Sequence, residues 1–292
     1  MSFTYARPRS LEEALDLFAQ AREKAAYLAG GTDLLLKYRK KEAAPGLVIS
    51  LNHIPGFDLV EEDDREVRVG AGATLRVLER SALIAARFPI LTDALKHMAS
   101  VQIRNAATMA GNVVNAAPSA DTAPPLLALG AEVVLLGKEG ERRMALKDFF
   151  AGPSRTVMTP GEILTRFIIR KPAGPAGGGY AKVSRRKAMD LALVGVAVQL
   201  ELEDDLATCA RARIALGVAG PTPIRSPEAE EVLKGAAVNP ESLARAGNLA
   251  AQESSCRDSL RGEAWYRREM IRVYVRRMGL LALKRAREAS TS

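Results

Sequence analysis

Histidine and cysteine are scarce in this chain, with two of each in 292 residues. His53, His97, Cys209 and Cys256 offer no convincing zinc site. An iron–sulfur cluster usually takes four thiolates, so none is expected within this chain. Without a CxxC pair, Cys209 and Cys256 read as buried structural residues. No GxSxG elbow accompanies either histidine, which argues against a Ser-His-Asp hydrolase. A GxxxxGK[ST] phosphate loop is missing. The GxGxxG dinucleotide fingerprint is missing too, because Gly70-Ala71-Gly72 meets Leu75 where its third glycine would stand. No apolar run approaches the ~18 residues of a membrane span, and the longest, 191–198, suits a buried strand. The first ten residues, MSFTYARPRS, lack the apolar core of a signal peptide, so the chain is expected in the cytoplasm.

What is present describes a globular protein. Apolar residues make up 48% and charged residues 26%, enough for a real core. The length points to two domains or one large one. The net charge is +8, and most of the excess lies in 261–288, which holds nine basic and three acidic residues. A nucleic-acid protein could carry such a segment. But Ile271, Tyr274, Val275 and Met278 recur at helical spacing, so it reads as a helix with one buried face and arginines outside. Discrete nucleic-acid signatures are absent, and no nucleic-acid partner is expected.

The pattern along the chain is α+β. Ser10 and Glu13 form a capping-box pattern before a helix over 10–22. A short strand over 26–29 ends in Gly30-Gly31-Thr32-Asp33, a helix restarts at 34–36, and 47–51 is another strand. This start is βαβ-like. Val67, Val69 and Ala71 alternate as a half-buried strand does, followed by helices over 75–86 and 90–99. Further strands are expected at 131–136 and 162–169. The stretch PAGPAGGG at 172–179 reads as a linker. Beyond it, 180–183, 191–202 and 212–218 read as an antiparallel sheet, and 227–235, 240–253 and 264–287 as helices. The expected division is therefore 1–175, with subdomains of about 1–57 and 58–175, then 176–292.

Two segments rich in small residues carry the chemistry. In Gly30-Gly31-Thr32-Asp33, between strand and helix, two glycines let backbone N–H groups approach an anion. Thr32 can cap the following helix. The alternative is a plain strand-to-helix turn. The second segment, 103–121, has few bulky side chains. Its Thr108, Gly111 and Asn112 add a hydroxyl, a bare backbone and an amide. Asp121 can accept from a ribose or ribityl hydroxyl. Two such turns suit a long ligand with two phosphates, though a tightly packed core turn would look similar.

AGGTDLL at 29–35, IRNAATMAGNVVNAAPSADTAPPLLALGAEV at 103–133 and KVSRRKAMDLALVGVAV at 182–198 together resemble the FAD-binding (medium) subunit of the molybdenum hydroxylases. That family includes xanthine dehydrogenase, carbon monoxide dehydrogenase and nicotinate dehydrogenase. The resemblance spans nearly the whole chain. It implies an FAD-binding domain of the vanillyl-alcohol-oxidase type in two parts. A small antiparallel sheet with helices, the C-terminal flavoprotein domain of carbon monoxide dehydrogenase, should follow. It implies that Ala29, Gly30, Gly31, Thr32, Asp33 and Leu34 wrap the FAD pyrophosphate. Thr108, Ala110, Gly111 and Asn112 form a second loop on the pyrophosphate and ribityl chain. Asp121 holds a cofactor hydroxyl or amide, Lys182 reaches toward the flavin, and Met98 and Leu164 line the adenine or the ring. The family's second loop commonly reads T-I-G-G-N, and here Ala110 replaces one glycine. An alanine cannot go freely to positive φ. The resemblance also implies electron transfer as the function. Electrons come from the clusters of an iron–sulfur subunit, are drawn from substrate at a molybdenum-cofactor subunit, and go to NAD or another acceptor in a dimer of heterotrimers. Two cysteines argue against the branch with an extra four-cysteine cluster in this subunit. A free-standing FAD-dependent oxidoreductase with its own substrate remains the competing reading.

Overall fold

The computed structural model describes residues 3–290, so Met1, Ser2, Thr291 and Ser292, the outer ends of the two expected domains, lie outside it. The N-terminal part is a parallel sheet of β1 (Thr4–Ala6), β2 (Ala25–Leu28) and β3 (Leu47–Ser50), in the order β1-β3-β2. Helix α1 (Leu11–Ala21) connects the first two strands and α2 (Leu34–Arg39) the last two. The sequence reading lacked β1, whose three residues are too few to show a period. Ser10 caps α1 by accepting from the Glu13 N–H at 3.1 Å. The Glu13 carboxylate reaches back one residue further than a capping box requires, accepting from Arg9 N–H at 2.7 Å.

The second part is an antiparallel sheet. It contains β4 (Val60–Glu62), β5 (Glu66–Gly70), β6 (Glu132–Gly137), β7 (Gly140–Ala145) and, at its centre, a strand over Ile163–Arg170. A short ribbon, β8 (Phe150–Gly152) and β9 (Arg155–Thr156), precedes that central strand, β10. Between β5 and β6 run α3 (Leu75–Arg80), α4 (Ala82–Arg87), α5 (Pro89–His97), α6 (Val101–Ala106), α7 (Met109–Val114) and α8 (Ala123–Ala128). The single helix expected over 75–86 is thus two. The break is Ser81, extended at φ −69° and ψ 117°, whose hydroxyl accepts from Ile84 N–H at 3.3 Å. A Ser in this role diverts the backbone and starts a new helix.

The third part is an antiparallel sheet of β11 (Ala176–Val183), β12 (Val194–Leu202), β13 (Cys209–Gly217) and β14 (Ile224–Arg225). Helices α9 (Pro227–Glu231), α10 (Pro240–Glu253) and α11 (Ala264–Ser290) follow. The sheet is covered on both sides. Val194, Val196, Val198 and Leu200 enter the core shared with α10 and α11. Tyr180, Ala197 and Ala215 enter the larger core built by the first two sheets and their helices. Such double coverage explains the unbroken apolar run of β12. Along α11, Ile271 and Val275 are fully buried, with Tyr274 and Met278 partly so. Cys209 and Cys256 are buried and unpaired, and burial pushes the Cys209 thiol up to about 11.

The linker expected over 172–179 holds for 172–175, which run outside any strand, and its glycine half is a correction. Gly177, Gly178 and Gly179 lie inside β11. A Cβ on Gly177 would stand 2.2 Å from the Ala282 carbonyl oxygen and 2.5 Å from the Ala286 nitrogen. The glycines let α11 press its backbone onto the strand, a packing role that composition cannot separate from flexibility. Arg285 fixes the contact from the same helix. Its guanidinium donates to both carboxylate oxygens of Asp93 on α5, at 2.6 and 3.0 Å, and to the Gly178 carbonyl at 2.6 Å. Gly177→Ala should lower stability by about 1–3 kcal/mol through overpacking. Thermal and urea unfolding of the substituted chain measures this.

Candidate functional site

The first small-residue turn leaves β2 and enters α2. Gly31 has φ +72°, and its carbonyl already accepts the Leu35 N–H at 3.0 Å. Helical bonding thus begins at Gly31, and the N-cap position falls on Asp33, which makes no side-chain cap. Thr32 does not cap the helix as expected, because the glycine ahead of it supplies the first acceptor. Among the described residues, the backbone N–H groups of Gly30, Gly31, Thr32 and Asp33 have no protein acceptor.

The second turn leads into α7. Thr108 is buried, and its hydroxyl caps the helix by accepting from Gly111 N–H at 3.0 Å. The Gly111 amide expected to face a ligand is therefore engaged within the turn. Ala110 lies in the first turn of the helix with ordinary negative φ, so an alanine is accommodated without strain. The side-chain oxygen of Asn112 accepts from the Thr122 hydroxyl at 2.6 Å, which leaves the amide NH₂ as its free donor. The two turns touch. A Cβ on Gly30 would lie 2.2 Å from the Ala106 carbonyl oxygen and 2.6 Å from the Ala107 Cα.

Behind the second turn, the buried Arg104 holds the backbone in place. It donates to the Met98 carbonyl at 2.6 Å and to the Glu79 carboxylate at 2.9 and 3.1 Å. Burial alone would raise the Glu79 carboxyl, but the Arg104 and Arg76 guanidinium groups hold it below its usual range. Leu75 N–H donates to the Ala107 carbonyl at 2.8 Å, tying α3 to the same segment.

The third element comes from β11. Lys182 Nζ donates to one oxygen of Asp121 at 2.7 Å, and the Tyr180 hydroxyl donates to the other at 3.1 Å. Lys182 and Asp121 expose only 6% and 7% of their side chains, so this is a buried ion pair. Burial pushes the Asp121 carboxyl above its usual range, and Lys182 pulls against it. Burial, and then the neighbouring Asp121, push the Tyr180 hydroxyl well above its own.

These parts enclose one cleft of about 980 Å³. Pockets of roughly 300–1,000 Å³ typically hold small ligands and cofactors, and this one is at the upper end. Every candidate residue lines it: Ala29 through Leu34, Met98, Thr108, Ala110, Gly111, Asn112, Asp121, Leu164 and Lys182. Sequence reasoning missed Tyr27, Lys37, Asn115, Ser100, Met189 and Arg261, which also line it. Lys37, one turn beyond Asp33 on α2, donates to Asn115 Oδ1 at 2.7 Å. Its i+4 spacing from Asp33 was the available signal. Arg261 gave none, because its approach depends on tertiary folding.

The N-terminal residues 1–172 match the family model described as the FAD binding domain in molybdopterin dehydrogenase. Residues 179–282 match the CO dehydrogenase flavoprotein C-terminal domain. The chain belongs to the FAD-binding subunits of the molybdenum hydroxylases. Its activity class is oxidoreductase and its cofactor is FAD. It is similar to the carbon monoxide dehydrogenase medium chain of Afipia carboxidovorans, 35% identical over 98% of either chain. Similarity to the xanthine dehydrogenase FAD-binding subunit of Escherichia coli is 30% over 94% of either chain. A solved Cu,Mo-CO dehydrogenase structure has a chain that superposes with a TM-score of 0.92 at 33% identity, covering 98% of this chain and 99% of that one. The two-domain α+β fold is thus that of a molybdenum hydroxylase medium subunit. No helix among the described residues is long and apolar enough to cross a membrane.

Removing Lys182 should be costly. Lys182→Met leaves the Asp121 carboxyl buried beside Tyr180 alone, at a cost of about 3–5 kcal/mol where that carboxyl is charged. Asp121 then has a folded-state pKa raised further above its unfolded value. The stability it retains is present at low pH and lost as pH rises through the raised value. Urea unfolding should show a larger deficit at pH 8 than at pH 5, and the double substitution Asp121→Asn with Lys182→Met should recover most of it.

Proposed function

We propose that this chain is the FAD-carrying electron-transfer subunit of a cytoplasmic molybdenum hydroxylase. It would take electrons from the clusters of an iron–sulfur subunit and pass them to NAD or another acceptor. Its partners are that subunit and a molybdenum-cofactor subunit, in a dimer of heterotrimers. The domain division proposed is 1–175, with its two subdomains, and 176–292. One observation carries the reading: turns from separate parts of the chain converge on one cleft whose open backbone donors suit a diphosphate.

FAD, when bound, supplies a centre that accepts electrons one or two at a time. The roles of the protein are to bind, orient and exclude water. The free N–H groups of Gly30–Asp33 would hold the pyrophosphate, with Ala29 and Leu34 as the walls of the turn. Thr108 and Ala110 shape the opposing turn, where Gly111 contributes bare backbone and Asn112 its NH₂. Met98 and Leu164 give an apolar surface to the adenine or the ring. Asp121 keeps lone pairs for a cofactor hydroxyl or amide while Lys182 and Tyr180 fix its position. The Lys182 ammonium also favours negative charge developing beside it.

Gly31→Val tests the pyrophosphate role. Gly31 has φ +72°, and a Cβ would meet Leu28 and Leu35 side-chain carbons at 3.0 and 3.2 Å. The native chain should purify yellow with about one FAD per chain. The variant should lose most of its flavin absorbance while keeping its far-ultraviolet dichroism. Native purification with iron, molybdenum and two further chains supports the complex, and isolation of a fully active flavoprotein alone argues against it.

A further inference from the structure

Lys37 is a cation on the wall of the cleft to which the motif resemblance assigns no role. It lies on α2, the helix that follows the first turn, and is half-buried. Its ammonium donates to Asn115 Oδ1 at 2.7 Å. Asn115 closes α7, the helix that follows the second turn, and its N–H donates to the Gly111 carbonyl at 3.0 Å. One side chain thus links the helices behind both turns.

Asp33 precedes Lys37 by four residues, a spacing at which opposite charges on a helix usually pair. These two do not, and among the described residues no carboxylate lies within ion-pair distance of Lys37. Asp33 is exposed to water instead. An amide oxygen is neutral, so Asn115 aims the charge of Lys37 without cancelling it. Of the three N–H donors of the ammonium, Asn115 takes one and two remain. Lys182 is different, because Asp121 cancels it. Arg185 and Arg261 are also unmatched on the cleft lining, but both belong to loops of the third part of the chain. Lys37 is carried by the elements that form the turns. The backbone N–H groups of those turns supply direction and no net charge. A diphosphate is an anion, and enclosing it against dipoles alone leaves its charge unmatched. Lysine is a common point-charge ligand of phosphate.

We propose that Lys37 is the positive charge of the diphosphate site and that Asn115 positions its ammonium there. The inference rests on the reading that the two turns hold the FAD diphosphate, and adds to it a residue that binds by charge.

The experiment is rebinding of FAD to the full chain stripped of flavin, followed by quenching of flavin fluorescence from low to high salt. Lys37→Gln keeps a donor for Asn115 and loses the charge. It should weaken FAD about tenfold at low salt, the scale of one charge-assisted contact. The deficit should shrink as salt rises, because screening removes what the native chain gains. Asn115→Ala keeps the charge and loses the aim, so it should cost less than Lys37→Gln and keep the native salt dependence. Lys40→Gln, at an exposed residue off the cleft lining, should change neither affinity nor salt dependence. Four results would overturn the proposal: native affinity in Lys37→Gln, a deficit there that salt does not reduce, an equal deficit in Lys40→Gln, or an equal and equally salt-sensitive deficit in Asn115→Ala. A native chain that binds no FAD overturns this and the cofactor reading together. Failure of the turn reading alone shows as native affinity in Gly31→Val, and the salt series on Lys37→Gln still reads a charged contact with FAD.

Discussion

The backbone of Gly30 lies so close to the Ala106–Ala107 peptide that no side chain fits between them. This contact brings a turn from the parallel sheet against a turn from the helical insertion of the second sheet. Without it the two sets of backbone donors would face different spaces. The cost of burying polar backbone without partners is a few kcal/mol per group. Gly30, Gly31 and Thr32 are half-buried and Asp33 exposed, so their free N–H groups open on the cleft, where an anion or water completes them. The same logic separates this cradle from a dinucleotide fold of the Rossmann type, where one glycine-rich turn does the work. Here two turns, each with few glycines, share it.

The third sheet supplies what the first two lack. Tyr180 and Lys182 stand one strand period apart on β11, so both point to the same face. They donate to the two carboxylate oxygens of Asp121. Asp93 and Arg285 repeat the theme further along, pairing α5 with α11. Because β12 is buried between two cores, a displacement of this sheet would disturb both. The position of Lys182 over the cleft is thus tied to the packing of the last helix on the glycines of β11.

Much of this was legible in the sequence. The alternation around Val67 and Val69 marked β5, and the 3.6-residue spacing of Ile271, Tyr274, Val275 and Met278 marked the inner face of α11. The candidate cleft residues came from motif resemblance, and they share one cleft in space. Four things were not legible, each for a local reason. β1 is too short to show a period. Ser81 interrupts a helical pattern through a single side-chain hydrogen bond. The glycines of β11 look like a linker because composition reports backbone freedom and not the helix that removes it. Thr32 failed as a cap because Gly31 already supplies the acceptor, a detail of dihedral angle.

The most direct test of the central claim is amide hydrogen exchange of the full chain with and without FAD, resolved to peptides. The account predicts that FAD slows exchange in both 30–34 and 108–112, while 240–253 on α10, remote from the cleft, is unchanged. Protection confined to one turn, or absent from both while the chain is yellow, would contradict the shared diphosphate cradle.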